Sequence, residues 1–198
     1  MSDLGVVVLA AGLSRRMGGP NKLLMLWRGK PMAEHVLDVA DTLPSVPKVL
    51  VVHRDVDQLQ ALLAYRNDWR CVTNDDTISG LASSLQVGLR NLANCTSVVV
   101  LLADMPDVSA ATFTRLIQAD HGDAYAVVPT YEGQWGNPVL LHRAAIDDCA
   151  NLSGDQGARH LLLANKDKVC LVDVNDPAIV RDFDVVADFS VKPCAPNQ

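Results

Sequence analysis

Two stretches of the chain carry side chains whose types and spacing could do chemistry. The first is Leu9-Ala10-Ala11-Gly12-Leu13-Ser14-Arg15-Arg16-Met17-Gly18-Gly19-Pro20-Asn21-Lys22, where an apolar run gives way to small residues, glycines and cations. Small residues let the backbone come close to a ligand, and consecutive exposed N–H groups can wrap a polyphosphate. Arg15 and Arg16 add bidentate charge and Lys22 a mobile ammonium. The glycine spacings of a Walker loop and of a dinucleotide fingerprint are both absent. The second stretch is Ala103-Asp104-Met105-Pro106, in which Asp104 directly follows an apolar run that begins at Val98. A carboxylate in that position can hold Mg²⁺, which takes one or two carboxylates together with substrate phosphate oxygens. The structural alternatives are a plain glycine loop for the first stretch and a turn or helix-capping role for Asp104.

Both stretches need a sheet to position them. The β-branched run over 5–10 reads as a strand buried on both faces, as in parallel sheets. Helices are expected over 32–43, 56–64, 81–92, 110–119, 143–149 and 158–164, with Ser109 as an N-cap. Strands are expected over 48–52, 69–73, 97–103, 125–129, 139–141 and 169–172. This alternation predicts a single α/β domain, a Rossmann-like, doubly wound, mostly parallel sheet, with ligands at the carboxyl ends of its strands. The domain is expected over 1–192, with a frayed tail over 193–198.

The 198 residues are 49% hydrophobic and 20% charged, within the globular range, which excludes collagen-like, coiled-coil and wholly disordered chains. No apolar run approaches the roughly 18 residues of a membrane span, and no basic leader precedes the first strand, so a soluble cytoplasmic protein is expected. A net charge of −6 argues against general nucleic-acid binding. Yet residues 4–33 contain Arg15, Arg16, Lys22, Arg28 and Lys30 and no acid, which suggests an anion site within an acidic protein. The five cysteines form no Cys-x-x-Cys and read as buried thiols. The five histidines are isolated, and none is assigned to a metal.

Together these residues resemble the nucleotidyltransferase superfamily, most closely its molybdenum cofactor cytidylyltransferase type. The resemblance rests on the first loop with Lys22, on Gly80-Leu81-Ala82-Ser83-Ser84-Leu85, on Ala103-Asp104-Met105-Pro106, on Gly136-Asn137-Pro138-Val139, on Gly154-Asp155-Gln156-Gly157-Ala158-Arg159, and on Asp182-Phe183-Asp184. It implies a nucleotide-diphospho-sugar transferase-like fold and a Mg²⁺-dependent transfer of CMP from CTP to the terminal phosphate of molybdopterin, with a client molybdoenzyme as a further partner. Arg16, Lys22 and Asp104 would be catalytic. Ala10, Ala11, Gly12, Ser14, Arg15, Gly80, Ser83 and Ser84 would bind the nucleotide. The metal would take Asp104 and Asp184, although Asp182-Phe183-Asp184 lacks the Thr-Pro pair common after the second aspartate, and Asp184 could equally cap a helix. The acceptor would meet Gly136, Asn137, Pro138, Asp155 and Arg159, an Asp155–Arg159 surface ion pair being the simpler alternative.

Other readings stay in competition: another nucleotide such as GTP or ATP, a sugar or polyol phosphate acceptor, or a non-catalytic nucleotide- or cofactor-binding protein. Guanylyl relatives tend to carry Gly-Gly where this chain has Ala10-Ala11, which favours CTP. Trp135 could stack on a planar ligand or simply pack at a rim.

Overall fold

Val6, Val7 and Val8 are wholly buried, because the first strand lies inside a sheet covered on both faces. The computed structural model describes residues 4–11, 21–53, 57–76, 80–119, 123–152, 154, 157–181 and 183. Strand β1 is Leu4–Ala10. A hairpin of β2 (Leu26–Trp27) and β3 (Lys30–Pro31) leads into helix α1 (Met32–Asp41). Strand β4 (Lys48–Val52), helix α2 (Asp57–Ala61), strand β5 (Trp69–Thr73), helix α3 (Gly80–Arg90) and strand β6 (Ser97–Leu102) follow. Next come helix α4 (Ala110–Gln118) and strands β7 (Ala126–Tyr131), β8 (Gln134–Trp135) and β9 (Val139–His142). Helices α5 (Arg143–Cys149) and α6 (Ala158–Ala164) precede the last described strand, β10 (Val169–Asp173).

The sheet order is β10-β7-β9-β6-β1-β4-β5, with β8 attached to β7. This is the mostly parallel α/β sheet that the alternation predicts, apart from β9 and the short β8, which pairs antiparallel with β7. β9 runs antiparallel between β6 and β7. The reversal begins at Glu132 and Gly133, both at positive φ, as Arg28 and Gly29 are in the β2–β3 hairpin. Two successive residues at positive φ make the two-residue turn whose twist suits a hairpin. Of the helix expected over 56–64, the described residues show Asp57–Ala61, after which the chain continues in turns through Tyr65.

Alternation along β1 sends Val6, Val8 and Ala10 to one core and Val7 and Leu9 to the other. The first core takes Met32, Ala33, Val36, Leu37 and Ala40 of α1, whose spacing forms one helical face, and Phe113 and Leu116 of α4. The second takes Leu85 and Leu89 of α3 with Ala145, Ile146 and Cys149 of α5. Each fully buried side chain of Val, Leu or Phe size contributes roughly 1.5–3 kcal/mol. With both faces filled by apolar groups, polar chemistry is confined to the strand ends. Ser109 caps α4 as expected, its Oγ accepting from the Thr112 N–H at 3.1 Å. No helix among the described residues is long and apolar enough to cross a membrane.

Cys71, Cys95, Cys149 and Cys170 are free thiols, Cys95 and Cys149 buried and the other two half-buried, while Cys194 lies outside the described residues. Burial, helped by the neighbouring Asp148 charge, pushes the Cys149 thiol up to about 12. At pH 8 it should therefore resist iodoacetamide in the folded protein and react once urea exposes it. Rapid modification of Cys149 in native buffer, read by peptide mass mapping, would contradict this packing.

Candidate active site

Asp104 lies just past β6, where the Ala103 N–H donates to the Leu9 carbonyl at 3.1 Å and keeps the exits of β6 and β1 together. Its side chain is about a quarter exposed. Lys22, 82 positions earlier in the chain, donates from Nζ to Asp104 Oδ2 at 2.9 Å and to the Phe183 carbonyl at 2.8 Å. The Lys22 side chain is only 11% exposed, so its ammonium is largely desolvated and depends on these acceptors. Lys22 opens a short 3-10 turn capped by Asn21, whose Oδ1 accepts from the Leu23 N–H. Residues 82 and 161 positions from Lys22 thus meet at one nitrogen.

The segment that delivers Phe183 is fixed at several points. Phe183 is wholly buried, its N–H donates to the Asp104 carbonyl at 3.2 Å, and its ring meets Trp27 edge-on at 4.7 Å. Trp27 Nε1 donates to Asp107 Oδ1 at 2.7 Å, and Arg28 pairs with the same oxygen at 3.0 Å. Further back, Asp176 Oδ2 accepts from the N–H and Oγ of Ser109 and from Thr112 Oγ1, while its Oδ1 accepts from the Ala178 N–H. One carboxylate thereby joins the start of α4 to the strap leading towards Lys22.

Beyond β5, the side chain of Asn74 is the hub of a second cluster. It is 2% exposed, and Nδ2 donates to Ser83 Oγ and Ser84 Oγ, each at 2.9 Å. Its Oδ1 accepts from the Asp76 N–H at 3.1 Å. Ser84 is itself buried, so Ser83 is the more accessible of the pair. Asn74 was not among the residues expected from the sequence, and its only sequence signal is its place immediately after a strand.

Gly136 and Asn137 line an open cleft of about 490 Å³ between the β7–β8 hairpin, α6 and the strap, which reaches Leu102 and Met105 on either side of Asp104. Arg159 and Trp135 also face it, the guanidinium donating to the Trp135 carbonyl at 3.2 Å. Pro138 is buried beneath, so its contribution is to shape the wall. Ala10 and Ala11 are buried at the end of β1, and Gly80 opens α3 at positive φ. Gly12, Ser14, Arg15, Arg16, Asp155 and Asp184 lie outside the described residues.

Among the described residues no group of three or more His, Cys, Asp or Glu side chains could hold a metal. Asp104 supplies a single hard oxygen donor set at an accessible sheet edge. Such a carboxylate could help hold an ion that also takes substrate phosphate oxygens.

The chain matches the MobA-like NTP transferase domain over residues 6–169. It belongs to that family. This places it among nucleotidyltransferase enzymes, the class that the first loop and Asp104 suggest. It is 29% identical over 192 residues to a nicotine blue oxidoreductase of Paenarthrobacter nicotinovorans, with 91% of each chain covered. It is 30% identical to the bifunctional protein GlmU of Clavibacter sepedonicus over 83% of this chain, but spans only 32% of that protein's length. Among solved structures, Rv0371c of Mycobacterium tuberculosis superposes with a TM-score of 0.81 at 27% identity, covering 96% of both chains. That protein has also been solved in complex with manganese. Molybdopterin-guanine dinucleotide biosynthesis protein A of Archaeoglobus fulgidus shares the fold, with a TM-score of 0.66 at 18% identity over 94% of this chain and 95% of that one.

A Cβ on Gly136 would come within 2.5 Å of the Ile179 carbonyl oxygen, so the Gly136-Asn137-Pro138 wall and the strap fit only without a side chain there. Gly136→Ala is expected to destabilise the protein by about 1–3 kcal/mol through overpacking against backbone. An unchanged urea midpoint would show that the strap does not bear on this residue.

Proposed function

We propose that this nucleotidyltransferase joins CMP from CTP to the terminal phosphate of molybdopterin and releases pyrophosphate. The observation that supports the reading is the Lys22–Asp104 pair, with Asp104 just past β6 beside the exit of β1 and between Leu102 and Met105, which line the Gly136–Asn137 cleft. Nucleotidyl transfer is an in-line displacement at the α-phosphorus, with attacking and leaving oxygens on opposite sides. The terminal phosphate of such an acceptor is already ionised at neutral pH. No general base is required.

The protein's task is then to bring two anions together and neutralise their charge. Lys22, already desolvated, supplies a fixed positive charge, and Arg16 is assigned to the triphosphate alongside it. Arg15, Gly12 and Ser14 would contact the phosphates and ribose, Ser83 the base region, and Asp184 would be a second metal ligand. When bound at Asp104, Mg²⁺ would neutralise phosphate charge; the manganese complex of the structural relative supports divalent-metal use. Asn137 and Arg159 line the side from which the acceptor would approach, with Asp155 assigned to the same side.

The near full-length likeness to a protein named as an oxidoreductase favours one second reading, reduction of a planar substrate by a bound nucleotide cofactor. Pyrophosphate release with each of four NTPs, with and without molybdopterin, separates the two when run beside a reduction assay with NADH and NADPH. Transfer dependent on CTP and acceptor is expected; reduction without pyrophosphate release would overturn the proposal.

Asp104→Ala should abolish transfer and, by leaving the Lys22 ammonium without its carboxylate, also lower Tm, while the far-UV circular dichroism below Tm stays native; wild-type turnover at saturating Mg²⁺ would remove Asp104 from the metal site. Lys22→Ala and Arg16→Ala should each lower kcat/KM by about 10²-fold, the scale of one lost transition-state charge contact. A rise in KM with kcat untouched would make them binding residues only. Ala11→Gly should raise GTP use while weakening CTP use by less than about tenfold, because one methyl in a pocket is worth about 1–3 kcal/mol. Equal kcat/KM for CTP and GTP in the wild type would defeat this steric account.

A further inference from the structure

The strand register sets an order along the carboxyl edge of the sheet. Val52 closes β4 opposite Ala10 of β1 and Thr73 of β5, so the residues that follow are Ala11, His53 and Asn74. The Asn74 N–H donates to the Val52 carbonyl at 2.8 Å, holding the two outer exits together. His53 therefore lies between the loop that starts at Ala11 and the Asn74–Ser83–Ser84 cluster.

Its Nδ1 is buried and has no hydrogen-bond partner among the described residues. A buried polar atom without a partner lowers stability, and an apolar ring of similar shape would pack without that cost. The residue as a whole is only partly buried, and Nε2, unlike Nδ1, is not a buried unpartnered atom, which leaves that edge of the ring accessible. Asp104 follows β6, two strands from β4, and neighbouring strands are about 4.8 Å apart, which puts roughly 10 Å between these exits. A nucleotide with its phosphates at Lys22 and Asp104 would carry its base across β1 towards β4 and β5.

We infer that His53 reads the base edge of the bound nucleoside triphosphate through the accessible side of its ring, and so helps choose among nucleotides. With Nδ1 turned inward, Nε2 is the nitrogen left to face a base, as a donor or an acceptor according to the tautomer, and such a group distinguishes base edges. The inference rests on the nucleotidyltransferase reading above, with the phosphates at the Lys22 end of the edge.

The test is calorimetric titration of CTP, GTP, UTP and ATP, each with Mg²⁺, into the wild type, His53→Phe and His53→Gln, with thermal unfolding of all three. The wild type should prefer one nucleotide. His53→Phe should reduce that preference about tenfold, the upper end for one hydrogen bond, and leave Tm unchanged or higher. His53→Gln should keep part of the preference. A ratio of affinities unchanged in both variants, with or without a loss of Tm, would make the ring a packing element and overturn the assignment. So would equal affinity for all four nucleotides in the wild type. If the Phe variant does not fold, the ratio in the Gln variant decides. Failure of the wild type to bind any NTP would overturn the transferase reading itself, whereas selective binding that ignores the substitutions overturns only the role of His53.

Discussion

A lysine ammonium held between a carboxylate and a backbone carbonyl joins three stretches of chain that are far apart in sequence. Lys22 Nζ lies within 3 Å of both Asp104 and the Phe183 carbonyl, in surroundings from which most water is excluded. Such a charge is tolerable only while its acceptors stay in place, and much of the surrounding structure serves to keep them there. The Phe183 ring is set against Trp27, Trp27 is tied to Asp107, and Asp107 lies three residues beyond Asp104, in the next turn of the same loop. Asp176 anchors the far end of the strap to the start of α4. The bonds form a closed circuit in which each segment limits the movement of the next.

The same pair has a chemical consequence. In the proposed transfer, a lysine already taken out of water and placed beside a carboxylate would need little reorganisation when an anionic group arrives, and such preorganised charge would stabilise a transition state more than a solvated side chain. The apolar sheet contributes by filling both faces with hydrocarbon, which leaves the strand ends as the place for polar groups. Along that edge the order β6, β1, β4, β5 sets the residues in sequence: the ion pair at Asp104, Ala11, His53, and then the Asn74 cluster. On the other side of β6, the antiparallel β9 and the β7–β8 hairpin form a separate wall, so the cleft lined by Asn137 and Arg159 opens beside Asp104.

The amino-acid sequence by itself determined the types of the main strands and helices and the buried central strand, and it singled out Lys22 and Asp104 as candidates. These are local properties: a β-branched run, a helical stripe such as Met32, Ala33, Val36 and Leu37, and a Ser109 cap are each legible within a few residues. Other features were not legible because they arise between distant segments. Four apolar residues such as Val139–His142 carry no record of strand direction, so the antiparallel β9 followed only from the turn at Glu132 and Gly133 and the pairing it permits. Asn74, Asp107, Asp176 and His53 look like ordinary loop residues until partners from 9 to 80 positions away, or the lack of one, give them a role. Lys22 and Asp104 could be named from sequence, but their meeting across 82 residues was decided by tertiary structure, because only the pairing of β1 with β6 brings the two loops to the same edge.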